Sequence, residues 1–386
     1  MKRSVSSLIV SLFIFNLAYS QPAKELSKPV DLNDGIHTST LAAVGMNASV
    51  ISKLLQEIES GVYPNRHSLL IYKNGKLVVE KYFTGKDEKA WTGDLGIVTH
   101  TANTLHDLRS VTKSVVAACI GIAIGQGKIK SVNQKLFEFF PEYVVYDTGA
   151  KKNLTLEHLL TMSSGLRWNE EVPYDNPDNS EIQMSSSKDP IAFILSREIV
   201  TVPGTEWKYN GGTTQLLAEI VKRATGKSVA DFANENMFKK IGIKEYEWAV
   251  FPGTNNPIAA SGLRLKTRDI LKFGILYKNN GQWDGQQVLP ASWVEQSFQS
   301  KVVRSKDRHS DGGYGYQFWI FRDSLHGKTL QLPAAVGNGD QRILFDKDND
   351  LLVVMTAGNY NKWNIPNNSA GIMRRIYESF DFVASR

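Results

Sequence analysis

The stretch Leu105-His-Asp-Leu-Arg-Ser-Val-Thr-Lys-Ser-Val-Val-Ala-Ala-Cys-Ile-Gly-Ile-Ala-Ile-Gly125 decides the reading of this chain. Val115 to Ile124 carries no charge, so a helix here has no face to offer water and belongs in the core. Gly125 and Gly127 supply its stop signal. Ser110 and Lys113 stand at its start, three positions apart, which on a helix places both side chains on one face. A lysine partly removed from water loses preference for its charged form and can then take a serine proton. Ser110 is therefore a candidate nucleophile and Lys113 its candidate base. A plain helix cap at Ser110, with Lys113 on the surface, is the alternative. A second S-x-x-K, Ser185 to Lys188, lies in a polar stretch and reads as loop.

Composition sets the bounds. The 386 residues are 42% hydrophobic and 22% charged, an ordinary globular mix long enough for two domains. Met1-Lys-Arg3, the apolar run Leu8 to Leu17 and Ala18-Tyr-Ser20 form a secretory signal, with cleavage expected after Ser20 and a retained anchor as the alternative. The expected location is periplasmic or secreted, with no integral membrane segment left after cleavage. Removing Lys2 and Arg3 takes the basic count from 45 to 43 against 39 acidic residues, a net +4 that is interspersed along the chain. That pattern gives no nucleic-acid surface. The only cysteine, Cys119, lies inside the apolar helix, so no internal disulfide is expected. The seven histidines are scattered, with no H-E-x-x-H and no cysteine pairs, so the reading is no metal and no cofactor. His106 and His158 read as structural. No G-x-S-x-G occurs.

Around that core the pattern is strands at both ends and helices between. Asn47 to Ser60 is amphipathic, and 68–72 and 76–83 flank Asn74-Gly75 as a hairpin. Thr84 to Asn103 reads as a loop. Helices are expected at 154–162, 191–199, 213–225 and 229–238, with Trp168 to Pro190 an exposed loop that borders a site. Farther on come a helix at 266–278, strands at 315–321, 341–345 and 351–356, and a closing helix at 370–380. The expected fold is α+β: an antiparallel sheet flanked by helices, 21–127 plus 260–386, with an all-helical insertion at 128–259. A site would lie in the cleft between them.

Two more stretches suit the serine. Pro203-Gly-Thr-Glu-Trp-Lys-Tyr-Asn-Gly-Gly212 puts a flexible turn behind Tyr209, and a tyrosine with its pKa lowered by a lysine can relay protons. Ala335-Val-Gly-Asn-Gly-Asp-Gln341 enters a strand, and glycines there let a backbone N–H approach an oxyanion together with the Ser110 N–H.

Together these blocks resemble the serine hydrolases related to class C β-lactamases and penicillin-binding proteins, most of all the branch of 6-aminohexanoate-oligomer hydrolases and related esterases. The resemblance runs from about Val62 to the end. Its motifs are 105–113, Leu156-Glu-His-Leu-Leu-Thr-Met-Ser-Ser-Gly165, Pro203-Gly-Thr with Tyr209-Asn-Gly-Gly212, Leu265-Lys-Thr-Arg-Asp269 with Lys272-Phe-Gly274, Tyr314-Gly-Tyr316 and Gly337-Asn-Gly-Asp-Gln341. It implies that Ser110 is acylated, that Lys113 is its base, and that Tyr209 protonates the leaving group and helps water attack. It also implies that the third family motif falls on Ala335-Val336-Gly337, with oxyanion and substrate-binding residues Ser110, Gly337, Asn338 and Gly339. Two departures bear on substrate. The β-lactamases carry lysine where this chain has Ala335, and asparagine where it has Gly211. Losing a carboxylate anchor and an amide anchor implies an esterase or amidase on a small ester or amide, with weak or absent β-lactamase activity. A β-lactamase or cell-wall peptidase, with Arg342 or Arg264 replacing the lysine, and a catalytically silent ligand-binding relative remain as alternatives.

Overall fold

β1 (Arg66–Lys73) and β2 (Lys76–Tyr82) form the expected hairpin, and Asn74 and Gly75 turn it with φ of 50° and 73°. Both angles are the left-handed values that a tight primed turn needs. The computed structural model describes residues 26–304, 312–325, 327–362 and 364–380. The expected signal segment, 1–20, lies outside the described residues.

A second ribbon follows, β3 (Thr84–Lys89) and β4 (Gly93–Thr99), and then the short β5 (Leu105–Asp107). Four more short strands are β6 (Glu247–Trp248), β7 (Leu263–Lys266), β8 (Gln282–Trp283) and β9 (Gln286–Gln287). The C-terminal part adds β10 (Val302–Val303), β11 (Gly313–Tyr314), β12 (Trp319–Leu325), β13 (Lys328–Gly337), β14 (Gln341–Asp346) and β15 (Leu351–Ala357). The main sheet is antiparallel in the order β10-β11-β12-β13-β14-β15-β1-β2, so the two ends of the chain meet at β1 and β15, with Leu70 opposite Val354. β5, β7 and β6 make a separate small sheet.

The helices are α1 (Ala48–Glu59), α2 (Thr112–Gly125), α3 (Leu156–Leu160), α4 (Ser180–Ser185), α5 (Pro190–Leu195), α6 (Gly211–Thr225), α7 (Val229–Ala233), α8 (Thr267–Lys278), α9 (Ala291–Ser297) and α10 (Ser369–Glu378). Alternation along the strands sorts the core into two layers. Leu70, Tyr72 and Val354 face one layer with α2 and α8, whereas Leu69, Ile71 and Val353 face the other with α1 and α10. Covering on both faces is why β1 and β15 are apolar runs rather than alternating ones. The α2 layer continues without a break into the helices of 128–246 through α6 and α7.

Thr112 to Ala123 of α2 are all buried, as the uncharged run requires. Gly125 is not its terminator: a Cβ there would lie 2.7 Å from Pro290, so it is a packing glycine. The stop is Gly127, at φ 68°, with the Lys128 N–H returning to the Ala123 carbonyl at 2.9 Å.

Four expectations need correction. Of the loop expected at 84–103 only 100–103 remains one, and residues 84–99 are a ribbon. Gly, Asp and Lys disguise it, because it is held by pairing and by the buried Asp87 rather than by apolar alternation. The strand expected at 315–321 is broken after β11, where Gln317 takes φ 60° and its side chain donates to the Leu159 and Leu160 carbonyls. Trp168 to Pro190 is not an open loop: it contains α4 and buries Glu170, Asn179, Ser180 and Glu181. The helix expected at 229–238 is α7 continued by a single π turn, Asn234–Phe238.

Candidate active site

β5 delivers the chain to the site. It pairs with β7, Leu105 opposite Lys266 and Asp107 opposite Arg264, and the chain then turns sharply at Arg109, whose φ is 50°. A left-handed non-glycine residue is strained, and here it stands directly before Ser110. Arg109 is held by Asp107 at 3.3 Å and Glu88 at 2.8 Å and stacks on the Tyr360 ring at 4.2 Å. Ser110 follows in the one-turn helix Arg109–Val111 with its side chain partly open to solvent.

Lys113 is 1% exposed, so the surface-lysine alternative does not describe this protein. Its Nζ lies 3.0 Å from Ser110 Oγ and donates to the Ala260 carbonyl at 2.9 Å. Those two partners aim the nitrogen at the serine.

Tyr209 is half-buried, its hydroxyl bonded to Ser110 and its ring 5.0 Å from Lys113 Nζ. The backbone that presents it is fixed on both sides: the Lys208 N–H donates to Met162, and Asn210 caps α6 by accepting from the Thr213 N–H at 3.1 Å. The expected lowering of its pKa is reversed. Burial first, and then the nearby Glu170, hold the phenol well above its ordinary value, against the Ser110 hydrogen bond. Tyr209 therefore rests as a neutral hydroxyl, a donor rather than a base.

Glu170 and Glu181 escaped the sequence reading. Both carboxyls converge on Gly211, where an added Cβ would meet Glu170 Oε1 at 2.7 Å and Glu181 Oε2 at 2.8 Å. Glu170 Oε1 accepts from the Trp168 indole N–H and the Gly211 N–H, each at 2.8 Å. Burial and the neighbouring Glu181 push the Glu170 carboxyl up to about 8, despite the lowering pull of Lys113. The asparagine that related enzymes carry at the Gly211 position would thus collide with a buried carboxyl pair. Glu170 in Trp168-Asn-Glu-Glu171 was the available signal, hidden by the polarity of its neighbours.

Beyond Tyr209 lies a wall of rings. Trp207 and Trp319 are 5.5 Å apart, Tyr209 and Trp319 5.8 Å, and Tyr314 and Trp319 5.7 Å. Trp363 lies outside the described residues.

The expected oxyanion stretch sits where β13 leaves its neighbour. β13 pairs with β12 only as far as Ala334, opposite Trp319, but stays on β14 through Gly337, opposite Gln341. The turn holding Ser110 packs against β13. A Cβ on Gly337 would stand 2.4 Å from the Leu108 carbonyl, so only glycine fits. Gly339, at φ 88°, lies in the following turn, and the Asn338 side chain is engaged with Asn361 at 2.7 Å. Ala335 is fully buried. Neither candidate replacement for a substrate-binding lysine is available: Arg342 pairs with Asp340 at 3.0 Å, and Arg264 with Asp107 at 2.7 Å and Glu247 at 2.8 Å.

A model of the beta-lactamase family matches residues 59–365. The chain belongs to the beta-lactamase family. As a serine hydrolase of that family it is 24% identical over 254 residues to the 6-aminohexanoate-dimer hydrolase of Paenarthrobacter ureafaciens, covering 59% of this chain and 62% of that one. An uncharacterised protein of Alkalihalophilus pseudofirmus is 24% identical over 307 residues, 74% of this chain and 80% of its own. Among solved structures, a family VIII carboxylesterase superposes with a TM-score of 0.63 at 17% identity, covering 86% of this chain and 95% of that one. That likeness shows the fold, the β-lactamase/transpeptidase-like sheet between helices.

Proposed function

We propose that this chain hydrolyses ester or amide bonds through an acyl-enzyme on Ser110. The observation that carries the reading is the 3.0 Å contact of the buried Lys113 Nζ with the partly open Ser110 Oγ. In its amine form Lys113 takes the Ser110 proton as Oγ attacks the acyl carbon. The tetrahedral oxyanion is met by the Ser110 N–H and by an N–H on the side of β13 that β12 leaves unpaired, around Gly337. Neutral Tyr209 donates its proton to the leaving oxygen or nitrogen, the C–O or C–N bond breaks, and the Lys113 ammonium restores the phenol. Water then attacks the acyl carbon by the reverse relay, releasing the acid and freeing Ser110.

Substrate class follows from what surrounds the serine. The Trp207–Trp319 wall favours an apolar group, and Arg264 and Arg342 are paired elsewhere. The buried Glu170 carboxyl occupies the place of an amide-binding asparagine. These features support an uncharged ester or linear amide over a β-lactam carboxylate. The purified protein should hydrolyse p-nitrophenyl butyrate, with nitrocefin lower in kcat/KM by about a hundredfold or more, since two polar anchors are absent. Equal turnover of nitrocefin would overturn the substrate reading while leaving the acyl-enzyme intact.

A further inference from the structure

Three of the seven histidines, scattered in sequence, are brought together by the fold against the expectation of no metal site. His67 on β1, Asp87 on β3, His100 just past β4 and His106 on β5 are all buried, and their ligand atoms lie within 4.8 Å of one another. The His67 and His100 rings stack with centroids 4.0 Å apart.

The hydrogen-bond partners favour one pair of tautomers. His106 Nδ1 faces the Asp107 carbonyl at 2.9 Å, an acceptor, so that nitrogen carries the hydrogen and Nε2 presents a lone pair. His67 Nε2 faces Asn65 Oδ1 at 3.4 Å, and that oxygen is identified as an acceptor by the Lys86 N–H it receives at 2.8 Å. His67 Nδ1 therefore presents its lone pair as well, and the two lone pairs meet at 2.8 Å. Asp87 Oδ1 lies 3.9 Å from both of those nitrogens, and Oδ2 lies 3.9 Å from His100 Nε2. His100 Nε2 is itself buried with no hydrogen-bond partner among the described residues. Facing lone pairs in a dry pocket repel unless a cation lies between them.

We propose that His67, His100, His106 and Asp87 bind a divalent transition-metal ion, with Zn²⁺ the best match. Three imidazoles and one carboxylate are borderline donors of the kind zinc prefers, and four ligands from the protein make a closed, structural site. The outer partners are already in place: the Asp107 carbonyl on His106, Asn65 on His67, and the Tyr360 hydroxyl on Asp87 at 2.8 Å. The ring of His67 is also boxed in, since a Cβ on Gly85 or Gly358 would come within 2.8 Å or 2.6 Å of it. Arg109 and Arg264 stand nearby, but each is neutralised by Asp107 and by Glu88 or Glu247. The ion would tie β1, the β3–β4 ribbon and β5 together directly upstream of Ser110 and would not touch substrate.

The test is metal content of the full chain. The protein is stripped with a chelator, loaded with ZnSO₄, desalted, and measured by inductively coupled plasma mass spectrometry and zinc-edge X-ray absorption. The expected result is about one zinc per chain with nitrogen-rich four-coordination near 2.0 Å. His100→Gln should lower retained zinc by about tenfold or more, and His158→Ala should leave it unchanged. Because His100→Gln can fail to fold, the absorption spectrum of the unaltered protein decides independently. Folded, unaltered protein that retains no zinc would overturn the proposal and leave His67 and His106 sharing a proton only. Zinc with oxygen-rich coordination, or zinc unaffected by a folded His100→Gln variant, would also overturn it.

Discussion

Glu170→Gln isolates the buried carboxyl near Lys113 and Tyr209. In the folded protein Glu170 holds its proton up to about 8, whereas an ordinary glutamic acid releases it near 4.5. Between those values the folded state binds a proton that the unfolded chain has lost, so unfolding becomes easier as pH rises. The limiting slope for one proton is about 1.4 kcal/mol per pH unit. Raising pH by two units inside that window should thus remove up to about 2.7 kcal/mol from this single group. A glutamine keeps the carbonyl that accepts from Trp168 and Gly211, and its amide can donate to Glu181 Oε2, which has no other partner among the described residues. The variant should therefore lose the titration without losing the packing. The assay is urea unfolding of both proteins, followed by tryptophan fluorescence across the window, with the difference between them cancelling the groups outside the Glu170–Glu181 pair. Unaltered protein should lose about 1–3 kcal/mol relative to Glu170→Gln as pH rises by those two units. Parallel curves would refute the assignment of a proton to Glu170.

Tyr209→Phe removes one hydroxyl and keeps the ring in its aromatic contacts, so the fold should persist while kcat on p-nitrophenyl butyrate falls by about 10²–10⁴, the usual worth of a positioned acid. A loss mainly in KM would point to a binding role instead. Gly337→Ala forces a Cβ to within 2.4 Å of the Leu108 carbonyl, which displaces the backbone entering Ser110. Its kcat should drop by about a hundredfold, with near-normal circular dichroism, because small misplacements of a nucleophile are that costly. Unchanged kcat would remove Gly337 from the site.

The core of the fold was legible because its signals are strong. The uncharged run of α2 had to be buried, and Asn74-Gly75 had to turn a hairpin. Spacing alone placed Ser110 beside Lys113, since helical neighbours need no tertiary information, and the resemblance supplied their proposed roles. The rest depends on tertiary contacts that spacing cannot show. Glu170 and Gly211 are 41 positions apart and meet only when α6 packs over the loop. The β3–β4 ribbon has strand geometry without strand composition, and its anchor Asp87 joins three histidines from three other segments. Tyr209 was located correctly at the serine, but its protonation was misjudged because the sequence shows the lysine and conceals how deeply the phenol and Glu170 are withdrawn from water.

The most direct measurement of the central claim is the intact mass of the folded protein after exposure to a fluorophosphonate, followed by peptide mapping, with Ser110→Ala alongside. Attack by an activated serine on phosphorus expels fluoride and leaves one covalent adduct. The expected result is a single adduct on Ser110, absent from the folded Ser110→Ala variant and accompanied there by loss of ester hydrolysis. An adduct on another residue, or no adduct on folded protein, would contradict the assignment of Ser110 and Lys113 as nucleophile and base.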